Sequence, residues 1–331
     1  MPAIRKPVRY FINKAEEYGA KRINLQDTLT FTGLKLDSFR WITHAVRSEI
    51  LLNCIKDKQK FNAIAGNAPS NKLHIGLISR FLALNDFEKV GGEQFFAVTD
   101  YSNKYQSSNE TAEFIKDILA LGITPKFIVD SKNNFDNRKH FFNVSSFITD
   151  NDLNRRYGDL KLDFKQKIST VNAFVTMLIP NFTNGNETVV STGLDDYSFH
   201  SRFKHVFTRM KKSSFDCSPF AITMTRVLSG LENYKMAKKS GEKAIYLSDS
   251  KEDVIRKLSK YNPKNLPKFS ESIYYQYLDS VSAEKPIIEE VSKLYEKGDL
   301  QSCKEILADR LFVFLKEYQK KREKIGKKRI H

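Results

Sequence analysis

Short apolar runs alternate with helix-length segments from Phe61 onward, and this alternation constrains the fold more than any other feature of the chain. The runs FNAIAGN, QFFAVTD, KFIVD and ETVVSTG are typical of buried strands. Between or after them, HIGLISRFLALNDF, TAEFIKDILALG and FHSRFKHVFTRM are typical of helices. Strands separated by helices of this length form βαβ units with a parallel sheet. The sequence therefore predicts an α/β fold with a Rossmann-like, doubly wound parallel sheet.

The segments on either side of this alternation are predicted to be mostly helical. Residues 1–60 include DSFRWITHAVRSEILLNCI, whose apolar spacing near 3.6 indicates a helical N-terminal extension. Residues 61–250 are expected to form the Rossmann-type domain, which closes with KAIYLSD as a strand. Within it, residues 131–185 are less regular and predict an inserted pair of helices. Residues 251–331 are expected to form a helical C-terminal domain that ends in the basic stretch KEYQKKREKIGKKRIH.

Charge, cysteine usage and hydropathy narrow the function classes. Lys and Arg outnumber Asp and Glu by 55 to 39, a surplus typical of a polyanion binder, although a lysine-rich surface alone gives the same sign. The three cysteines lie far apart, so neither a disulfide framework nor a structural zinc site is expected. No stretch approaches the roughly 20 apolar residues that span a bilayer, and the N-terminus lacks an apolar signal region. A cytoplasmic protein without a membrane segment is expected.

The string PSNKLHIG at 69–76 lies after a strand and at the start of a helix. A helix N-terminus offers free N–H groups and the positive end of its dipole to phosphates. Gly76 allows a nucleotide to approach the backbone, and His74 can donate a hydrogen bond to phosphate oxygens as charge develops. A capped helix with one buried histidine explains the string equally well, so alone it is not specific.

The string KMAKKSG at 235–241 forms a lysine-rich loop. Mobile lysines over a triphosphate can neutralise the charge that gathers on a pyrophosphate leaving group. Taken by itself, such a run is more often a solvated loop.

Together, and about 160 residues apart, the two strings resemble the HIGH and KMSKS signatures of class I aminoacyl-tRNA synthetases of the tryptophanyl/tyrosyl kind. Between them, GITPKFI at 122–128 is similar to the GxxPxK segment of that family, and GLDD at 193–196 is similar to its GxDQ segment. The resemblance covers roughly residues 60–260. Upstream, INKAEEYGAKRI loosely resembles the archaeal/eukaryotic tryptophanyl branch.

The resemblance implies an ATP-dependent ligase that forms an aminoacyl-adenylate and transfers the aminoacyl group to tRNA. It implies that Asp195 holds the ribose and that Mg²⁺ binds the β- and γ-phosphates. It also implies that residues 251–331 read tRNA and that residues 131–185 form a homodimer contact. The residues expected to act on the transition state are His74, Lys235, Lys238 and Lys239. The other expected nucleotide-binding residues are Gly66, Asn67, Pro69, Ser70, Gly76, Gly193 and Met236.

The signatures depart from the family pattern at a few positions. Leu77 stands where the second His of HIGH is expected, and the KMSKS-like loop has Ala237 for Ser and Lys239 at its last position. Asp196 replaces the glutamine of GxDQ. The retained His74 and the retained lysines are compatible with ATP binding.

The predicted amino-acid pocket departs further. Its expected residues are Ile64, Ala97, Thr99, Asp100, Met177 and Asp196. At Ile64, Ala97 and Met177, eukaryotic-type tryptophanyl enzymes have a Tyr and glutamines, and tyrosyl enzymes need a Tyr at the first position and an Asp in the specificity helix. A site that must recognise a buried N–H or O–H gains its discrimination from paired polar groups. Tryptophan is therefore predicted to be a poor substrate.

Three functions remain open at this point. The first is charging of a tRNA with an aromatic amino acid. The second is a paralogue that activates a different acid or uses a non-standard acceptor. The third is a catalytically weak tRNA-binding or regulatory protein.

Overall fold

The structure is a computed structural model that describes residues 6–69, 73–100, 108–129, 138–154, 164–213, 218–232, 234–236, 241–263 and 266–326. Its strands are β1 (Lys21–Arg22), β2 (Ile42–Val46), β3 (Phe61–Asn67), β4 (Gly92–Val98), β5 (Lys126–Val129), β6 (Thr188–Gly193) and β7 (Phe220–Thr225). They form one sheet in the order β1-β2-β7-β6-β3-β4-β5.

The order of the strands confirms the predicted doubly wound topology. Strand β3 lies in the middle and pairs in parallel with both β4 and β6. The chain proceeds outward through β4 and β5 on one side, and then returns to the other side of β3 for β6 and β7. Strands β2 and β1 extend the β7 edge in antiparallel pairing. The fold is therefore a Rossmann-like sheet with an antiparallel edge.

Helices cover both faces of the sheet. They are α1 (Val8–Glu17), α2 (Leu25–Thr28), α3 (Ser48–Lys56), α4 (Ile75–Lys89), α5 (Ser108–Ala120), α6 (Arg138–Ser145), α7 (Asp150–Asn154), α8 (Phe164–Asn184), α9 (Tyr197–Lys212), α10 (Lys251–Ser259), α11 (Ile273–Ser280), α12 (Lys285–Glu296) and α13 (Leu300–Gly326). Side chains of α3, α4, α5 and α10–α13 share one apolar cluster, and those of α1, α8 and α9 share a second.

Successive residues of the central strands point into these two clusters. Ala63 and Ala65 of β3 belong to the first cluster, and Ile64 belongs to the second. In β4, Phe96 packs in the first and Ala97 in the second. Burial on both faces explains why these strands read as continuous apolar runs rather than as alternating ones.

Helix α4 connects β3 to β4 and is buried on nearly every side. His74 precedes it with extended backbone angles (φ −121°, ψ 157°), so the helix begins at Ile75. Its buried residues include Ile78, Phe81 and the charged Arg80. A helix that is apolar all round belongs in the interior of a protein. A single arginine in such a helix needs a buried partner, which it finds in the candidate site below.

Helix α13 fastens the C-terminal helices to the sheet domain. The Tyr318 hydroxyl donates a hydrogen bond of 2.7 Å to Oδ1 of the buried Asp117 on α5. The Gln319 amide donates to the main-chain oxygens of Leu247 (3.0 Å) and Asp249 (3.1 Å), in the segment after the lysine-rich loop. The last long helix is thus bonded to two elements of the sheet domain.

The prediction of a mostly helical segment over residues 1–60 was wrong for its middle part. Strands β1 and β2 lie there: β2 pairs with β7, and β1 pairs with β2. The helical spacing arose because a 3-10 helix at Asp37–Trp41 and helix α3 flank a strand of five residues. Without β2, one edge of β7 would have unpaired main-chain N–H and C=O groups. The hydrogen bonds that β2 makes to this edge outweigh the local helical pattern. The boundaries expected near residues 60 and 250 stay predictions.

Two shorter segments also differ from expectation. KAIYLSD was predicted to be a strand, but it makes only a single bridge, between Tyr246 and His74. Its main chain bonds instead to the turn before α4, through Ile75 N to Ile245 O (3.0 Å) and Leu247 N to Leu73 O (2.8 Å). Strand β7 was not predicted at all. Within the described ranges, no helix is both long and apolar enough to cross a membrane.

Candidate active site

Strands β3 and β6 are neighbours whose following connections leave the sheet in opposite directions. Open parallel sheets bind ligands at such a switch point, beyond the carboxyl ends of the strands. Gly66 and Asn67 end β3, and Gly193 ends β6. Asp195 and Asp196 follow in the 3-10 turn Leu194–Asp196, which leads into α9. Five of the predicted residues therefore converge on this crevice.

The start of α4 and the start of the lysine-rich loop meet at Gly76. A Cβ built on Gly76 would lie 3.0 Å from His74 Nδ1 and 3.4 Å from Met236 Cβ. Both spacings fall at or below ordinary contact, so the two signature segments touch across a position that has no side chain. His74 and Met236 are buried. The fold thus brings together two strings that are about 160 residues apart in the sequence.

Lys235 and Asp195 form an ion pair at the rim of the crevice, with 32% and 14% of their side chains exposed. Burial alone would raise the pKa of Asp195, but the charges of Lys235 and Arg80 outweigh it and leave that pKa lowered. A Cβ at Gly193 would collide with the Asp195 carboxylate, so glycine allows that carboxylate to lie against the end of β6 in its present position. Asp195 is therefore a carboxylate anion, paired with Lys235 beyond the carboxyl end of β6.

Arg80 and Asp196 form a second ion pair, with 7% and 25% of their side chains exposed, which was not predicted from the sequence. Arg80 Nη1 lies 2.5 Å from Asp196 Oδ2, and Arg80 Nη2 donates to Asn67 Oδ1 at 3.3 Å. Thr192 Oγ1 also donates to the Asp196 carboxylate, at 3.4 Å. Burial and the neighbouring Asp195 charge raise the pKa of Asp196 in spite of Arg80. An arginine inside the apolar run IGLISRFLAL was the available signal for this pair.

The three apolar residues of the predicted amino-acid pocket lie in the same cluster. Ile64, Ala97 and Met177 are 0%, 0% and 6% exposed and belong to the second apolar cluster, between the sheet and α8. A Cβ on Gly66 would lie 3.0 Å from the main-chain oxygen of Ala97, so β3 and β4 approach closely beside them. Their common location agrees with one apolar lining, while their contact with a substrate stays a prediction.

The remaining predicted residues divide into those within and those outside the described part of the chain. Thr99 donates its N–H to Asn67 O at 3.2 Å, and Asp100 accepts from Thr111 Oγ1 at 3.2 Å, so both lie at the carboxyl end of β4. Pro69 is buried beyond the end of β3. Ser70, Lys238 and Lys239 lie outside the described residues. Among the residues that are described, no three His, Cys, Asp or Glu side chains group as a metal site.

Comparison with protein families gives a match to the family described as tRNA synthetases class I (W and Y), over residues 186–321. The chain is 23% identical over 312 residues to a tryptophan–tRNA ligase of Methanocaldococcus jannaschii. That alignment covers 83% of this chain and 82% of the relative.

Solved structures of tryptophanyl-tRNA synthetases have a fold similar to that of this chain. The tryptophanyl-tRNA synthetase of Aeropyrum pernix superposes with a TM-score of 0.82 at 18% identity and covers 96% of this chain and 94% of its own. The tryptophan-bound tryptophanyl-tRNA synthetase of Encephalitozoon cuniculi gives a TM-score of 0.79 at 20% identity, with coverages of 95% and 94%. At these identities, the likeness establishes the fold alone.

Proposed function

We propose that this chain, which is a class I tryptophanyl/tyrosyl tRNA synthetase-type protein, uses ATP to activate an amino acid as an aminoacyl-adenylate and transfers it to tRNA. One observation carries the proposal. His74, Gly76 and Met236 meet beside the switch point of the sheet, where the Lys235–Asp195 pair also lies. This arrangement offers a phosphate-binding helix start, a ribose acceptor and a cation in one crevice.

Each residue has a role that its chemistry suits. The carboxylate of Asp195, with its lowered pKa, accepts hydrogen bonds from the ribose hydroxyls. Gly76 lets Met236 and the His74 ring pack against the first turn of α4, whose free N–H groups and helix dipole favour negative charge. Lys235, with Lys238 and Lys239, stabilises the charge that develops on the pyrophosphate leaving group.

Mg²⁺ enters this proposal bound to the phosphates of ATP. Mg²⁺ keeps several waters and takes one or two carboxylates plus substrate phosphates in sites of this kind. The crevice fits that mode, because its two carboxylates, Asp195 and Asp196, are paired with Lys235 and Arg80. The metal would neutralise phosphate charge while the lysines approach.

The amino-acid side favours a second candidate, activation of an acid other than tryptophan or tyrosine. Ile64, Ala97 and Met177 present no hydrogen-bonding side chain, and Asp196 is engaged by Arg80. An unpaired indole N–H costs about 1–3 kcal/mol when buried. A smaller or apolar side chain avoids that cost. The alternative of a catalytically weak tRNA-binding protein needs only the basic surface and not the convergent site.

The remaining proposals concern partners. Residues 251–331 are proposed to bind tRNA, because the described part of α13 ends in the basic run KKREK. Residues 131–185 are proposed to form a homodimer contact. In that segment the ring of Phe142 is 67% exposed, which suits an interface.

ATP–pyrophosphate exchange, screened over all twenty amino acids, tests the proposed function. We expect exchange with at least one amino acid, and a matching transfer to tRNA. Exchange with one amino acid and no transfer to tRNA would favour the non-standard acceptor. No exchange with any amino acid, together with tRNA binding, would overturn the proposal in favour of a binding protein.

A further inference from the structure

Helix α1 and the two residues before it contact the start of the lysine-rich loop. The backbone N–H of Lys235 donates to Lys6 O at 3.3 Å, and Pro7 forms an antiparallel bridge with Tyr234. The Lys235 ammonium lies over the ring of Phe11, with Nζ 5.4 Å from the ring centroid. The segment before and within α1 therefore contacts both the main chain and the charged end of the first lysine of the loop.

Helix α1 is itself held in place. It packs against α9 and against the 3-10 turn that carries Asp195. Ala15 is buried in the second apolar cluster, and the Tyr18 and Tyr197 rings stack with centroids 5.4 Å apart. Glu16 Oε1 lies 3.2 Å from Nε2 of the buried His44 on β2. A helix fixed at several points can hold a side chain of a neighbouring loop in one place.

We propose that Phe11 is a positioning residue, whose ring holds the Lys235 ammonium at the nucleotide crevice. The inference rests on the proposed assignment of Lys235 to ATP. The structure gives this ammonium two partners of different kinds: the carboxylate of Asp195 and the face of Phe11. A carboxylate neutralises the lysine, whereas an aromatic face attracts it through the ring quadrupole and leaves its charge intact.

The difference between the two partners matters when a nucleotide binds. Asp195 is the proposed acceptor for the ribose, so the ribose hydroxyls compete with Lys235 for its carboxylate oxygens. The Phe11 ring competes neither for the ribose nor for a phosphate. It therefore keeps the ammonium near the crevice while the anionic partner of Lys235 changes from carboxylate to phosphate. Lysine has a flexible stem with high rotamer entropy, and holding it in advance lowers the cost of ordering it on binding.

Two substitutions at Phe11 distinguish the effect of its aromatic face from the effect of its apolar packing. Phe11→Leu removes the π face but keeps an apolar side chain, and Phe11→Tyr keeps the face. Val8→Ala, on the same helix and packed against the same cluster, is the matched control for loosened packing. The full chain is labelled with an amine-reactive reagent, with and without Mg-ATP, and the labelling rate of Lys235 is read by peptide mass spectrometry. ATP affinity is measured by calorimetry on the same variants.

We expect Phe11→Leu to raise the labelling rate of Lys235 and to weaken ATP binding, each by about threefold to tenfold, the range of a partly desolvated cation–π contact. Phe11→Tyr and Val8→Ala should stay within about twofold of wild type in both measurements. In exchange assays with the amino acid found in the screen, Phe11→Leu should raise the KM for ATP and leave the KM for the amino acid unchanged.

The inference is overturned if Phe11→Leu labels Lys235 at the wild-type rate, or if Phe11→Tyr behaves like Phe11→Leu. A wild-type Lys235 that ATP does not protect from labelling would instead refute the proposed nucleotide site. In that case the contrast between the leucine and tyrosine variants still decides whether the ring positions the lysine.

Discussion

The proposed nucleotide crevice and the predicted amino-acid pocket are built on the same central strands, yet they differ in how they satisfy charge and polarity. In the crevice, glycines allow neighbouring segments to pack closely, and Asp195 and Lys235 stay partly exposed. In the pocket, Ile64, Ala97 and Met177 are buried in an apolar cluster. One region is open and charged, and the other is closed and apolar.

This difference separates two demands on an activating enzyme. Phosphate and ribose are the same for every substrate, so the crevice needs only a fixed set of donors, acceptors and space. Side-chain discrimination needs buried polar partners matched to one acid. The boundary between the two regions is the Arg80–Asp196 pair, which fills the position where the resemblance leads one to expect a glutamine. On the proposed function, the chain combines the nucleotide-binding residues that the resemblance implies with an amino-acid pocket that departs from the family pattern.

The largest effect is expected from removing the charged side of the crevice. The double variant His74→Ala with Lys235→Ala should reduce pyrophosphate exchange at least a hundredfold, since one such electrostatic contact is worth on the order of 3 kcal/mol. Exchange and ATP affinity are measured together. Lys243→Ala is the matched control, because Lys243 pairs with the exposed Glu232 instead. Wild-type exchange in the double variant would show that the crevice is wrongly assigned.

Tryptophan as substrate tests the other half of the comparison. We expect exchange with tryptophan to be absent, or at least about tenfold less efficient than with the best amino acid, because the indole N–H loses about 1–3 kcal/mol without an acceptor. The measurement is exchange over tryptophan concentrations from micromolar to millimolar. Robust activity that saturates in the micromolar range would mean that the pocket lies elsewhere and that the two regions do not differ.

The boundary pair gives an intermediate effect with a defined pH dependence. Burial and Asp195 raise the folded-state pKa of Asp196, so the contribution of this carboxyl to stability is present below its unfolded pKa and is lost as the pH rises through the folded value. Arg80→Met removes a compensating charge and raises that pKa further. The variant should therefore lose about 2 kcal/mol at pH 7.5, and less at pH 5.

Urea unfolding at both pH values provides this measurement. The double variant Arg80→Met with Asp196→Leu is the control, since it removes both charges and should recover most of the loss at pH 7.5. A loss in Arg80→Met that is equal at the two pH values would show that Asp196 does not depend on Arg80 for its charge.

The smallest effect on activation is expected from the basic C-terminus. A chain that ends at Gly326 lacks Lys327, Lys328 and Arg329 but keeps the bonds of Tyr318 and Gln319. Exchange should be unchanged, because neither region of the comparison is touched. The salt dependence of tRNA binding should become shallower, by up to about 0.7–0.9 per lost phosphate contact. If the truncated and full-length chains show the same salt dependence of tRNA affinity, the last residues do not contact the phosphates and only add charge to the surface.

The sequence was sufficient for those features that depend on short, local patterns. Continuous apolar runs predicted β3, β4, β5 and β6, and the strings around His74 and Lys235 predicted two segments that do meet in the fold. The Arg80–Asp196 pair was missed because its members are 116 residues apart, and nothing in either segment indicates which residue is the partner of the other. Phe11 was missed for the same reason, since its partner lies on a distant loop. Contacts of this kind depend on the folded topology.

The first apolar cluster has a consequence for how the molecule unfolds. It continues from β3 and β4 through α4 and α5 to α10–α13, and Tyr318 and Gln319 add polar bonds across the same junction. Regions that share one core lose their structure in one cooperative step, whereas regions with separate cores melt independently. The C-terminal helices should therefore protect their amides from solvent exchange to the same free energy as the central strands. We expect the C-terminal helices to unfold together with the central strands as one foldon, and not in a separate step at lower free energy.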